Sequence, residues 1–287
     1  MDGLAEKKHH ARNPDFTIPQ DWERYTPEEH ARWNILYERQ AKLLPNRACD
    51  EFMAGLDALN LNEGGIPDFR RMNEKLMALT GWTVVAVPHL VPDDIFFEHL
   101  ANRRFPAGRF IRGADQIDYI QEPDVFHDVF GHVPMLALPV FADHMQDYGK
   151  AGIRALQYDG LKMVARLYWY TVEFGLVQSA KGLRVYGSGI VSSRTETLFA
   201  LESESPNRIG FNLQRVMNTD YRIDDFQETY FVLESFDALR AESFQDFLPI
   251  FKAAHGKAPL IPGHVDKGDR VVHRGTQDYA RSKRMVA

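Results

Sequence analysis

Residues Gln121–Pro134 read QEPDVFHDVFGHVP, and the way this segment is folded decides the rest of the reading. It carries two histidines five positions apart, His127 and His132. On an ideal α-helix five steps of ~100° put the second side chain about 140° around the axis from the first. The two rings share a face only if the helix ends between them. Gly131 and Pro134 supply such an ending, so the segment reads as a short helix over Pro123–Gly131 with His132 swinging back toward His127. A metal needs a third ligand. Glu173, in the run YWYTVEFG, is the candidate. Two imidazoles and one carboxylate fill one side of an octahedron and leave the other open, which suits non-haem Fe(II) and oxygen chemistry. On spacing alone, zinc with the same ligand types competes, as do ordinary core histidines and a solvated glutamate.

Upstream, Thr26, Pro27 and Glu29 form a capping box that opens a helix. Trp33, Leu36, Tyr37 and Leu44 follow at helical spacing, and Pro45 closes it. Helices are expected over Asp50–Leu59 and Asp68–Leu79, the latter stopped by Gly81. Trp82–Val87 reads as a strand, Asp93–Arg103 as a helix, and Arg109–Arg112 and Asp118–Ile120 as short extended pieces. Downstream, helices are expected over Val140–Tyr148, Leu161–Gly175, Arg194–Leu201 and Glu234–Lys252. Leu183–Tyr186 and Phe226–Leu233 read as strands. Strands are few and do not alternate with helices, which argues against a doubly wound sheet or a barrel. The expectation is a mainly α (α+β) protein: a tail over 1–20, one helical catalytic domain over 21–252 with a few short strands, and a polar tail over 253–287.

Composition narrows the function. The chain has 287 residues and a net charge of −6, so no basic excess exists to hold a nucleic acid backbone. No apolar run approaches the ~20 residues needed to span a bilayer, and Met1–Phe16 lacks the apolar core of a signal peptide. Cys49 is the only cysteine, which excludes an intrachain disulfide and fits a reducing, cytoplasmic setting. YGSG, at 186–189, lacks the Lys-Ser/Thr of a phosphate loop.

The stretches PDVFHDVFGHVP, LYWYTVEFGL and YGSGIVSS resemble, in order and spacing, the signature segments of the pterin-dependent aromatic amino acid hydroxylases. GWTVVAVPHLVPDDIFFEHLANRRFP and FIRGADQIDYI are similar to flanking segments of that family, and the resemblance runs from about Asp21 to about Phe247. It implies the family's catalytic-domain fold, Fe(II), O2 and a tetrahydropterin co-substrate, and L-phenylalanine as substrate. It implies His127, His132 and Glu173 as iron ligands. It implies Arg112 as the clamp on the substrate carboxylate, a role a guanidinium fork suits. Ser192 would hold the amino acid end, with Trp169 and Pro123 walling the ring pocket. For the pterin it implies stacking on Phe96, backbone bonds at Val91 and Asp93, and contacts from Asp128 and Tyr168.

The sequence departs from the family in places. Animal members carry Glu at the Asp128 position, and polar Thr then Pro where this chain has Ile120-Gln121. Ser188 stands where Ala is usual. No regulatory domain precedes the resemblance and no heptad segment follows it, so a monomer is expected, with pterin-recycling enzymes as functional partners. Ile223, in DYRIDDF, favours phenylalanine over tyrosine or tryptophan as the ring hydroxylated. A zinc hydrolase and a non-enzymatic pterin- or amino-acid-binding regulator are the other readings; the last would require a damaged metal trio.

Overall fold

The computed structural model describes residues 13–118 and 122–284. Ile120-Gln121 and most of the expected N-terminal tail therefore lie outside the described residues. The first helix, Pro27–Leu43, starts as the capping box dictates. Thr26 Oγ1 accepts the Glu29 N–H and the Glu29 carboxylate accepts the Thr26 N–H. Helices Asp50–Ala58 and Phe69–Thr80 follow, the second closed by Gly81 at φ 74°.

Strand β1 (Thr83–Val87) pairs in parallel with β2 (Arg104–Gly108), from Thr83 opposite Arg104 to Val87 opposite Gly108. The helix between them, Asp93–Ala101, ends short of the expected Arg103. The strand precedes the expected extended piece at Arg109–Arg112. RFPAG has no β-rich pattern, and Pro106 is tolerated because β2 is an edge strand. The helix Pro139–Ala155 runs seven residues past the expected Tyr148. It crosses Asp93–Ala101 closely enough that a Cβ on Gly152 would lie 2.0 Å from the Phe97 ring. Glycine there lets Phe97 bury while Phe96 stays at the surface of the contact.

The second sheet has the order β4-β3-β6-β5-β7. Its strands are β3 (Leu176–Ser179), β4 (Gly182–Val185), β5 (Asn207–Gly210), β6 (Thr229–Leu233) and β7 (Val271–His273). β3 and β4 form an antiparallel hairpin, β3, β6 and β5 run parallel, and β7 returns antiparallel to β5. Every residue of β5 and β6 is buried, as for strands covered on both faces.

Four expectations are corrected. The helix expected over Glu234–Lys252 is two, Phe236–Ser243 and Leu248–Ala254, because Phe247 turns into the core between them. The segment past Ala253, read as a trailing surface tail, supplies β7 and a helix, Asp278–Arg284. The expected stop at Gly131 does not occur: the chain passes through a π-helical turn, Phe126–His132, directly into the α-helix Val133–Leu136. Likewise the helix expected over Leu161–Gly175 is α-helical only over Leu161–Tyr168 and then widens into a π turn, Trp169–Glu173. Among the described residues no helix is long and apolar enough to cross a membrane.

Candidate metal centre and active site

The π turn solves the five-residue spacing. Its hydrogen bonds run i→i+5, so residue i+5 returns almost above residue i, where an α-helix would carry it well around the axis. His127 and His132 therefore face the same side, with ring centroids 5.2 Å apart at 79°. The opposite side is locked into the core. Phe126 and Phe130 stack at 4.7 Å, Trp33 packs edge-on against Phe126, and Phe52 against Phe130. The second π turn brings Glu173 to both imidazoles. Its Oε1 lies 3.1 Å from His132 Nε2 and its Oε2 3.6 Å from His127 Nε2. One potential ligand atom from each of the three residues lies within 4.8 Å of the others. Ligands bound at the ~2.1 Å of zinc-type bonds stand about 3 Å apart at adjacent octahedral positions, so the separations fit one shared ion.

The surrounding groups prepare these atoms. Ser192 Oγ donates to the Ser188 carbonyl at 2.7 Å. Its lone pair is thus left to accept from His127 Nδ1, 3.1 Å away. That bond places the proton on Nδ1 and leaves Nε2 with a free lone pair, the form a metal requires. Ser188 Oγ donates to Glu173 Oε2 at 2.8 Å and orients the carboxylate. Gly187 packs against this ligand's backbone: a Cβ there would sit 2.4 Å from the Glu173 carbonyl oxygen. Burial raises the Glu173 carboxyl, but the charges of His132 and His127 outweigh it and hold the group well below its ordinary value. Burial opposes a charge on His127 too, yet Glu173 keeps that imidazole above its usual range. A cation, proton or metal, is thus favoured between them.

Arg112 and Asp124 form the next layer. Arg112 Nε and Nη2 each donate to the Asp124 carboxylate at 2.8 Å. Asp124 also accepts the backbone N–H of Arg112 at 2.9 Å and of His127 at 3.0 Å. Burial raises this carboxyl, and the guanidinium more than offsets it. One aspartate thereby fixes both the guanidinium and the start of the ligand turn. Among the described residues Arg112 Nη1 has no hydrogen-bond partner, and it remains the edge able to take an incoming carboxylate. Pro123 adjoins this pair in sequence and is half-buried.

Trp169, at the first position of the second π turn, stacks on Tyr221 at 4.4 Å and leans on Phe174 at 4.8 Å. Its Nε1–H donates to Gln227 Oε1 at 2.9 Å. On the other side Phe96 is half-buried and meets Tyr168 edge-on at 5.6 Å. Tyr168 in turn faces His132, centroids 6.1 Å apart. Val91 is half-buried and Asp93 exposed. Pro92 gives the helix Asp93–Ala101 no side-chain cap, so its first-turn N–H groups stay open to a ligand. Asp128 is buried and accepts the Gly108 N–H at 2.7 Å; burial pushes its carboxyl up to about 6. A half-exposed ring, uncapped amides and a buried carboxyl suit a flat heterocycle with polar edges.

His127, His132 and Glu173 come together at one centre, Ser192 bonds His127 and the Ser188 carbonyl, Arg112 adjoins through Asp124, and Phe96 through Tyr168 and His132. Asp124, Ser188, Gln227 and Tyr221 were not foreseen. Asp124 had a local signal, a carboxylate three residues before His127 in the position of a turn cap. The others are brought in by tertiary contacts alone.

Such a centre, two histidines and a carboxylate presented by two π turns beside an aromatic slot, defines a non-haem metal enzyme of the oxygen-using type. The sequence profile described as biopterin-dependent aromatic amino acid hydroxylase matches residues 14–253. The chain belongs to this family. It is 60% identical to phenylalanine-4-hydroxylase of Caulobacter vibrioides over 97% of this chain and 95% of that one. It is 56% identical to the Ralstonia nicotianae protein of the same name, over 92% and 85%. Among solved structures, phenylalanine hydroxylase of Chromobacterium violaceum with bound oxidised Fe(III) superposes with a TM-score of 0.88 at 55% identity. That match covers 90% of this chain and 94% of the other. The iron- and phenylalanine-bound form of the same protein gives 0.87 at 54%.

Proposed function

We propose that the chain is a phenylalanine 4-monooxygenase, converting L-phenylalanine to L-tyrosine with O2, Fe(II) and a tetrahydropterin. The observation that carries this reading is the convergence of His127, His132 and Glu173 on one position in a chain matching nearly the full length of relatives named for that activity. Family membership displaces the zinc hydrolase and the non-enzymatic regulator. The names of those relatives favour phenylalanine over tyrosine and tryptophan.

When bound, the iron and the reduced pterin supply oxygen activation and two electrons; the protein's own part is placement. His127, His132 and Glu173 hold the ion through atoms that Ser192 and Ser188 keep in position. Arg112 Nη1 takes the substrate carboxylate while Asp124 keeps the fork rigid. Trp169 and Pro123 flank the substrate ring and bring its para carbon toward the centre. Phe96 and Tyr168 hold the pterin, with the Val91–Asp93 backbone and Asp128 at its edges. Phe105, packed 4.8 Å from His132, excludes water from beneath the ligand. Setting and partners are part of the same proposal: a monomer in a reducing cytoplasm, served by enzymes that regenerate the pterin.

The test is oxygen uptake by purified protein given Fe(II), a synthetic tetrahydropterin and each aromatic amino acid in turn. Tyrosine formed from phenylalanine, dependent on both iron and pterin, is the expected result. Turnover that needs neither, or that prefers tryptophan, overturns it.

A further inference from the structure

The segment Tyr221–Glu228 supplies two of the contacts that fix the Trp169 indole: the Tyr221 ring beneath it and the Gln227 amide that accepts its N–H. This segment has little regular structure, and Ile223 within it is 72% exposed. What holds it comes from the far end of the chain. Tyr279 packs on Phe226 at 5.3 Å and on Phe199 at 5.2 Å, and those two rings are themselves stacked at 4.3 Å. Tyr279 Oη donates to Asp225 Oδ1 at 2.8 Å, the oxygen that also accepts the Phe226 N–H. Arg284 grips the buried Glu228 carboxylate, Nη2 lying 2.6 and 2.7 Å from its two oxygens. Gln277 Nε2 donates to the Glu228 carbonyl at 3.0 Å. Gln227 then passes the constraint inward: its Nε2 donates to the Arg222 carbonyl and its Oε1 accepts from Trp169.

We propose that the C-terminal helix Asp278–Arg284, with Gln277 before it, is a strap that positions the substrate-ring wall, Tyr279 and Arg284 acting on Trp169 through Tyr221–Glu228. All three strap residues lie beyond the matched family segment, residues 14–253. The inference rests on the reading of Trp169 as a pocket wall. Tyr279 and Arg284 are positioning residues that touch neither substrate nor metal ligand.

The experiment compares Tyr279→Ala, Tyr279→Phe, Arg284→Ala, Arg284→Lys and Trp169→Phe in the full-length, iron-loaded enzyme. Iron content, KM for phenylalanine and for the pterin, and tyrosine formed per pterin oxidised are measured for each. The near-ultraviolet circular dichroism lost in Trp169→Phe isolates the signal of the stacked indole. Tyr279→Ala is expected to raise the phenylalanine KM on the order of tenfold, to lower the tyrosine yield per pterin, and to lose that dichroic signal. Iron content and the pterin KM should stay within about twofold. Tyr279→Phe, which keeps the ring, and Arg284→Lys, which keeps the charge, should recover most of the effect. If Trp169→Phe raises the phenylalanine KM while Tyr279→Ala and Arg284→Ala leave KM, yield and dichroism unchanged, the strap is refuted and the pocket stands. If Trp169→Phe itself changes neither KM nor yield, the pocket reading fails and the strap fails with it. If Tyr279→Ala loses iron or fold, a Tyr279→Phe enzyme identical to wild type in all readouts, with Arg284→Ala equally silent, also refutes the strap.

Discussion

Replacing Ser192 by Ala separates two roles for one hydroxyl. In the structure Ser192 Oγ accepts the His127 Nδ1 proton and has no bond to Arg112. Its removal leaves Nδ1–H without an acceptor and frees the ring to turn or change tautomer. Outer-shell partners of this kind are worth about 10- to 100-fold in metal affinity, on the order of 1.4–2.7 kcal/mol. Global stability should move much less. The Ser188 carbonyl that loses the hydroxyl still accepts the Ser192 backbone N–H at 3.0 Å, so no buried acceptor is orphaned. The assay titrates Fe(II) into apo-protein against a chelator of known affinity, with thermal unfolding alongside. Phenylalanine KM is then measured at saturating iron. The expected result is weakened iron binding with Tm and saturating-iron KM close to wild type. Unchanged iron affinity with a raised KM would refute the reasoning and return Ser192 to the substrate's amino end.

Glu173→Gln should abolish iron binding at micromolar Fe(II) and with it tyrosine formation, since an amide supplies no negative charge between the imidazoles; a fully active variant would take Glu173 out of the centre. Arg112→Met should destabilise the fold by about 3–5 kcal/mol, because it strands the fully buried Asp124 carboxylate; denaturant unfolding reads this directly, and a loss under about 1 kcal/mol would show Asp124 satisfied by other means. Arg112→Lys keeps the charge but not the fork, and should raise the phenylalanine KM at least tenfold with the pterin KM flat. The Glu196 carboxyl, pushed up to about 7 by burial, accepts a hydrogen bond from Tyr230 Oη. The folded state holds its proton more tightly than the unfolded chain, so stability falls as pH rises from about 4.5 to about 7, by up to about 3 kcal/mol, and levels off above that. Glu196→Gln should flatten this slope between pH 5 and 8; equal slopes in the two proteins would show that Glu196 ionises without cost.

Much of the helical frame was legible because its signals are local. Thr26 with Glu29, Pro27 at the first turn and Gly81 at a stop each act within a few residues. The metal trio was legible as residue types, but its geometry was not. With a period of 3.6 the only way to align His127 and His132 was to break the helix at Gly131, whereas the chain widens its turn instead. The short strands were hidden for a different reason. Asn207–Gly210 reads NRIG, polar and unpatterned, and becomes a strand only because β6 and β7 flank it. Val271–His273 sits more than sixty residues from its partner, and no local propensity announces such a pairing.

The widened turn at Phe126–His132 has a consequence for how this enzyme can change. One residue more than an α-turn is lodged in the chain there, held by the Phe126–Phe130 stack on its far side. Were the turn to narrow into ordinary helix with all its residues kept, His132 would lie about 140° around the axis from His127. The core could survive that narrowing while the ion site vanished. The width of the turn and the spacing of the two histidines are therefore as much a part of the chemistry as their identity.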